Sequence, residues 1–357
     1  MKIIVLGCGL VGGVIAKDMF DRGYQVTVAD ISSDALARVG DYPDIVTEKA
    51  NLTNSDRLQA LIDPFDLVIG AVPGFMGFNT VKHVIQSRKN IVDISFFPEN
   101  ALELESFAYE NHVQAVVDCG VAPGFSHLAF GFLSRYFDDP ISLACYVGGL
   151  PIIREKPFEY KIVFSPFDVI EEYTRPARIV YNGKVQIKEP LSEVEALYFD
   201  QIGTLEAFNS DGLRTLIHTL KVPNMIEKTL RYPGHAEKMK LLRDAGFFSQ
   251  TPVMVHGALV SPLDMTAKTL FQKLKMREDE QDLTVMRIIG IGRKGDKVLR
   301  YSFEMCDRYD PEKKFTSMAR TTGFTCSSTA HLLLQGHIEQ RGLICPEYQM
   351  RAKAPFS

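Results

Sequence analysis

The 357-residue chain is predicted to hold two domains: a doubly wound α/β domain on a parallel sheet, then an α+β domain on a mixed sheet. Three observations predict this. The length exceeds what one ordinary core serves and suits two. Across residues 1–122, short β-branched runs alternate with stretches of helical spacing, the pattern of a parallel sheet wound on both faces. After Pro123-Gly124 the runs lengthen and their rhythm changes, so residues 123–315 form the second, substrate-side domain.

The elements follow in order. Residues 2–6, 25–29, 67–71, 90–94 and 114–117 read as buried strands, each bounded by Gly, Pro or Asp. Residues 11–20 and 80–87 read as helices between them. Beyond the boundary, 141–148, 160–164, 178–181 and 185–187 read as strands of another sheet. A helix is expected after Ser210 and another over 233–245. Residues 284–290 and 298–306 pair about the turn 292–296, and 316–336 is helical.

Composition excludes several functions. Apolar residues make up 46% and charged residues 24%, the balance of an ordinary globular protein. A formal charge of −4 offers no basic field to nucleic acid. No run approaches the roughly 20 apolar residues that span a bilayer. The chain enters strand-like sequence at once, with neither basic lead nor small-residue cleavage site, so a cytoplasmic protein is expected. Six cysteines are scattered without a CxxC pair, so neither a metal site nor a disulfide framework is expected.

The strongest motif is Gly7-Cys8-Gly9-Leu10-Val11-Gly12. It follows a strand, opens a helix, and leads to a second strand ending at Asp30, the context of a Rossmann dinucleotide site. Gly7 permits the tight turn, Gly9 lets backbone approach a pyrophosphate, and Gly12 allows helix and strand to pack closely. Amides near Leu10 and Val11 then meet phosphate at the positive helix end. Asp30 is placed to accept ribose hydroxyls and to repel a 2′-phosphate. It is followed by Ile31-Ser32-Ser33 rather than arginine, which favours NAD over NADP. Further cofactor contacts are expected where later strands end: Asn51 beside the adenine, Ala71-Val72-Pro73 along the nicotinamide ribose, and Ser95 and Gly120 farther along the same edge. Asp93 is an ionisable group at that edge and a candidate for catalysis; capping a loop or helix suits it equally.

Three runs carry a family resemblance: Asp118-Cys119-Gly120-Val121-Ala122-Pro123-Gly124-Phe125-Ser126-His127, Val147-Gly148-Gly149-Leu150-Pro151 and Met318-Ala319-Arg320-Thr321-Thr322-Gly323. They resemble motifs of the saccharopine dehydrogenase-like family. The stretches 203–216 and 228–235 are most similar to its L-lysine 6-dehydrogenase members. Saccharopine reductases of this family carry Asp, Cys and Tyr where this chain has Ala122, Val147 and Phe96, so the resemblance points to a smaller amine than saccharopine. It implies NAD-dependent oxidative deamination of the lysine ε-amine, giving 2-aminoadipate 6-semialdehyde, which cyclises to piperideine-6-carboxylate, and ammonia. It also implies a homodimer and a C-terminal helix over about 316–350 that rejoins the first domain.

Such chemistry needs a neutral amine, a base to activate water, and arginine for the substrate carboxylate. On a helix starting after Ser210, Asp211, Arg214, Thr215 and His218 share one polar face. They either hold the amino-acid end of a substrate or form a solvated face with an internal Asp–Arg pair. His235, after Tyr232-Pro233-Gly234, is a candidate base near neutral pH or a packed residue. Arg231 and Arg175 are candidate carboxylate clamps or ordinary ion-pair partners. His127 and Cys119 read as structural. Two other functions fit the same residues: a C–N reductase of saccharopine or carboxynorspermidine type, and a non-catalytic NAD-binding protein.

Overall fold

The computed structural model describes residues 1–349 apart from Glu278. The chain begins β1 (Lys2–Leu6), α1 (Leu10–Asp21), β2 (Gln25–Asp30), α2 (Ser33–Leu36), β3 (Val46–Lys49), α3 (Ser55–Ile62), β4 (Leu67–Gly70), α4 (Gly74–Gln86), β5 (Ile91–Asp93), α5 (Glu105–Glu110), β6 (Gln114–Val116) and α6 (Phe125–Tyr136). It continues β7 (Asp139–Pro151), α7 (Pro166–Thr174), β8 (Ala177–Tyr181), β9 (Lys184–Lys188), β10 (Glu195–Phe199), β11 (Gly203–Asn209), α8 (Leu216–Thr219), β12 (Asn224–Arg231) and α9 (His235–Asp244). It closes with β13 (Val253–Val255), β14 (Ala258–Val260), α10 (Pro262–Leu274), β15 (Asp282–Lys294), β16 (Lys297–Arg308), α11 (Ser317–Leu334), β17 (Gly342–Ile344) and α12 (Pro346–Gln349). Among the described residues no helix is long and apolar enough to cross a membrane.

Two compact units result. The first takes Met1–Arg135, His218–Leu220 and the chain from Ala319; the second takes Tyr136–Ile217 and Lys221–Met318. By packing, α6 stays with the first unit, so the compact units divide at Arg135, a helix beyond the texture change near residue 122.

The first unit is an all-parallel Rossmann sheet in the order β17-β6-β5-β4-β1-β2-β3. Its central strands are apolar and buried from Ile3 to Leu6 in β1 and throughout β4, because both faces are covered there. Ile4 and Leu6 point into one core with Val81, Val84 and Leu343. Ile3 and Val5 point into the other with Ile15, Met19, Cys326 and Ala330. Helix α11 thus covers this sheet, but it stops at Leu334. Gly336, at φ +75°, turns the chain, which then adds β17 beside β6. A single helix to residue 350 is incorrect; Met350 itself lies outside the described residues.

The second unit is built on a mixed sheet ordered β10-β11-β12-β7-β15-β16, with β8 joining β12 and β9 joining β8. β12 and β7 run parallel, and the other pairs are antiparallel. The predicted strand at 160–164 is not one. Tyr160 and Ile162 instead enter a separate core with Val169, Tyr173, Phe208 and Met239.

Candidate functional site

The glycine loop of the first unit forms a cradle. Gly7 has φ +101°, a conformation that side chains resist, and its N–H donates to Ala29 O at 2.8 Å. A Cβ on Gly7 would lie 2.4 Å from Ala71 O, and one on Gly12 would lie 2.1 Å from Gly7 O. Both glycines are therefore required by packing. Gly9 differs: a Cβ there would meet nothing within 4 Å, so the space above it is open. Helix α1 starts at Leu10 with no side chain capping it, leaving a positive helix end beside Leu10 and Val11 for an anion.

Asp30 is fixed before any ligand arrives. Its Oδ2 accepts Cys8 N–H and its Oδ1 accepts Ser32 N–H, each at 2.8 Å. An ionised carboxylate accepts about four hydrogen bonds, so capacity remains for two ribose hydroxyls. Open space at Gly9, an uncapped helix end and an oriented carboxylate fit the pyrophosphate and ribose of a dinucleotide. Ile31, 63% exposed, borders this edge, and Ala71 connects to the loop through its N–H to Leu6 O at 2.8 Å. Val72 is buried and Pro73 precedes α4, which no side chain caps. Asn51 closes its own turn, accepting Thr53 N–H at 3.0 Å.

Asp93 does not stand at the surface of that edge. It is fully buried, and its Oδ1 accepts both the N–H of Ser95, at 2.9 Å, and the Ser95 hydroxyl. It positions the loop after β5, with Ser95 buried as well. Gly120 is buried in a closed turn, its N–H donating to Pro123 O at 3.0 Å and its carbonyl accepting Phe125 N–H at 2.9 Å. Burial pushes the Cys119 thiol up to about 12, so it stays neutral.

In the second unit the helix expected after Ser210 is absent. Residues 210–215 form a loop, and α8 begins only at Leu216. Arg214 adopts φ +48°, which a continuous helix would not permit, so no shared helical face exists. The loop is nevertheless buried and pinned. Thr229 Oγ1 donates to Ser210 Oγ at 2.9 Å. Asp211 accepts Arg178 Nε at 2.8 Å and Nη2 at 2.7 Å, a bidentate pair. Its partner is thus Arg178, not Arg214, and no local signal marks the pair because the two lie 33 residues apart. Arg214 and Thr215 are 4% and 2% exposed. Arg175 pairs with Glu171 at 3.1 Å. Burial lowers its pKa from the ordinary value against the pull of Glu171, and the charge of Arg214 adds to the lowering.

His235 and Arg231 belong to the core. His235 Nδ1 donates to Phe158 O at 3.1 Å, which leaves Nε2 to accept the Tyr173 hydroxyl at 2.9 Å. Burial, then the charge of Arg231, lowers its pKa to about 3. A neutral, 1%-exposed imidazole with both nitrogens engaged is not a solvent-facing base, so the packed alternative holds. Arg231 is 1% exposed, donates to Glu172 and to Leu230 O, and stacks 4.4 Å from the Tyr160 ring centroid. Burial alone would lower its pKa, but Glu172, Tyr160 and Tyr173 outweigh burial and raise it. It cannot clamp a ligand carboxylate. Tyr160, Glu172 and Tyr173, drawn from separated segments, carry no motif that marks them in advance.

Comparison with known proteins agrees with this architecture. The model described as "Saccharopine dehydrogenase NADP binding domain" matches residues 3–116, and "Saccharopine dehydrogenase C-terminal domain" matches 120–356. Alpha-aminoadipic semialdehyde synthase, mitochondrial, of Rattus norvegicus is 23% identical over 97% of this chain, which spans only 45% of that protein. The saccharopine dehydrogenase [NADP(+), L-glutamate-forming] of Pyricularia oryzae is 22% identical, covering 97% of this chain and 93% of that one. The solved apo saccharopine dehydrogenase (L-Glu forming) of Saccharomyces cerevisiae superposes with a TM-score of 0.79 at 19% identity, over 98% of this chain and 95% of that one.

Proposed function

The chain belongs to the saccharopine dehydrogenase family, and from that premise we propose that it is a nicotinamide-nucleotide-dependent oxidoreductase of lysine metabolism. Its reaction is the oxidative deamination of the L-lysine ε-amine with NAD as preferred acceptor. In balanced form, lysine with its ε-amine as the ammonium, NAD⁺ and water give 2-aminoadipate 6-semialdehyde, NADH, ammonium and a proton; the semialdehyde then cyclises to piperideine-6-carboxylate with loss of water. When bound, the oxidised nicotinamide supplies the hydride acceptor. The chain's own residues do the rest: the amides at Leu10 and Val11 hold the pyrophosphate, and Asp30 orients the adenosine ribose.

The observation that carries the amino-acid substrate is the pinned loop 210–215. It buries Arg214, whose charge acts on Arg175, while Asp211 is already neutralised by Arg178. Two such guanidiniums suit a carboxylate, and apolar Ala122 and Val147, lacking the polar groups that saccharopine reductases carry there, suit a plain amine better than saccharopine. A homodimer in the cytoplasm belongs to the same proposal. The NADP(+)-linked, glutamate-forming relatives support a second reading, a saccharopine-type C–N reductase.

Mixing the protein with lysine and either dinucleotide separates the two. NADH absorbance with stoichiometric ammonia supports deamination. Equal or faster turnover of saccharopine, with glutamate as product, overturns it.

A further inference from the structure

Strand β16 ends the mixed sheet of the second unit: it pairs with β15 on one side and, among the described residues, with no strand on the other. This edge is 12 residues long, about 40 Å at the usual rise per residue. It holds no proline, its register against β15 runs unbroken, and none of its residues is buried. Proline, bulges and short length keep an open edge from pairing, and this edge has none of them. Charge is the remaining device, and here its pattern invites a match. Gly295 and Asp296 close the β15–β16 hairpin, so Lys294 and Lys297 form its hydrogen-bonded end pair. By alternation, the backbone groups of Val298, Arg300, Ser302, Glu304 and Cys306 point away from β15. An antiparallel copy of the same strand centred on Ser302 puts Arg300 opposite Glu304, Lys297 opposite Asp307 and Arg308 opposite Asp296. Every charge of the strand then faces its opposite, while Tyr301 meets Phe303 and Leu299 meets Met305. Centring on Arg300 or Glu304 would instead set that residue against its own copy. Lys297 and Arg300 form no ion pair within the chain, among the described residues. Glu304 accepts Arg287 Nε at 2.7 Å and keeps capacity for a second cation.

We propose that this edge docks a second copy of the same chain, the two β16 strands pairing antiparallel about a twofold axis at Ser302. The two mixed sheets then run into one another, and the assembly closes as a pair because each copy spends its open β16 edge on the other. This surface rests on the homodimer proposed above and not on its substrate.

Sedimentation velocity of the full chain, over about a hundredfold range of concentration, tests it. The wild type is expected to be a dimer. Arg300→Glu sets carboxylates against each other on both sides of the axis and should raise the dissociation constant about tenfold. Glu304→Arg should do the same with guanidiniums. An equimolar mixture of these two variants restores both opposite-charge pairs, so it should associate more tightly than either variant alone. Ser302→Pro removes an outward N–H at the centre and should leave a monomer. All three positions are exposed, so the variants are expected to fold, and circular dichroism checks that they do. A mixture no tighter than its components, or a dimer that all three substitutions leave unchanged, overturns this surface while leaving a homodimer standing. A monomeric wild type overturns both.

Discussion

His235 shows how its surroundings decide what a titratable side chain can do. Hydrogen bonds to Phe158 O and the Tyr173 hydroxyl fix one neutral tautomer, and burial beside Arg231 resists protonation. The folded pKa of about 3 lies below the value near 6.5 of an unfolded histidine. The unfolded chain therefore takes up the proton first as pH falls. The stabilisation is complete above about 6.5 and drains away between 6.5 and 3. His235→Gln removes the titration along with a buried hydrogen bond, and is expected to cost about 1–3 kcal/mol at pH 7. Urea unfolding at stepped pH should show the gap between wild type and variant narrowing as pH falls through that window. A gap constant with pH removes the assignment. Asp30 gives a second expectation at this scale. Asp30→Ala loses two charge-accepting contacts to ribose, so NAD affinity should fall roughly tenfold, measured by calorimetry.

At the scale of elements, the loop joining β1 to α1 separates two jobs that look alike in the sequence. Gly12→Ala forces a Cβ to 2.1 Å from Gly7 O, between backbone elements that cannot part without disturbing the sheet. Reduced soluble yield or a lower unfolding midpoint is expected. Gly9→Val leaves the fold intact, because nothing lies within 4 Å, and fills the space assigned to pyrophosphate. It should fold like the wild type by circular dichroism and lose dinucleotide binding; retained affinity would mean the phosphates lie elsewhere. This loop was legible because its glycine spacing, strand and helix are local in sequence. The 210–215 loop was not. Its polar spacing imitates a helical face, but Arg178, 33 residues away, captures Asp211, and Arg214 settles in a left-handed backbone. Likewise β17 carries no signal of its own: the three residues Gly342–Ile344 hold too little periodicity to announce a seventh strand.

For the whole molecule, the parallel sheet and the change of texture to a mixed sheet were readable because both follow from hydrophobic rhythm. The place of α6 was not, because the partners of an amphipathic stretch are set by long-range packing; the return of α11 to the first unit followed from the family resemblance rather than from periodicity. The proposed reaction imposes its own requirement on the complete protein. Lysine carries an ε-ammonium with a pKa of about 10.4, and no lone pair drives hydride loss until that proton leaves. Below this value the reactive fraction grows about tenfold per pH unit, so kcat/KM for lysine should climb steeply across the alkaline range. His235, protonating near 3, cannot impose an inflection near neutrality. The His235→Gln enzyme, assayed well below its unfolding transition, should keep the same slope whatever its absolute rate. An inflection near pH 6–7 that disappears in the variant would return His235 to the chemistry. A flat profile for lysine would instead remove the free amine as the species that reacts.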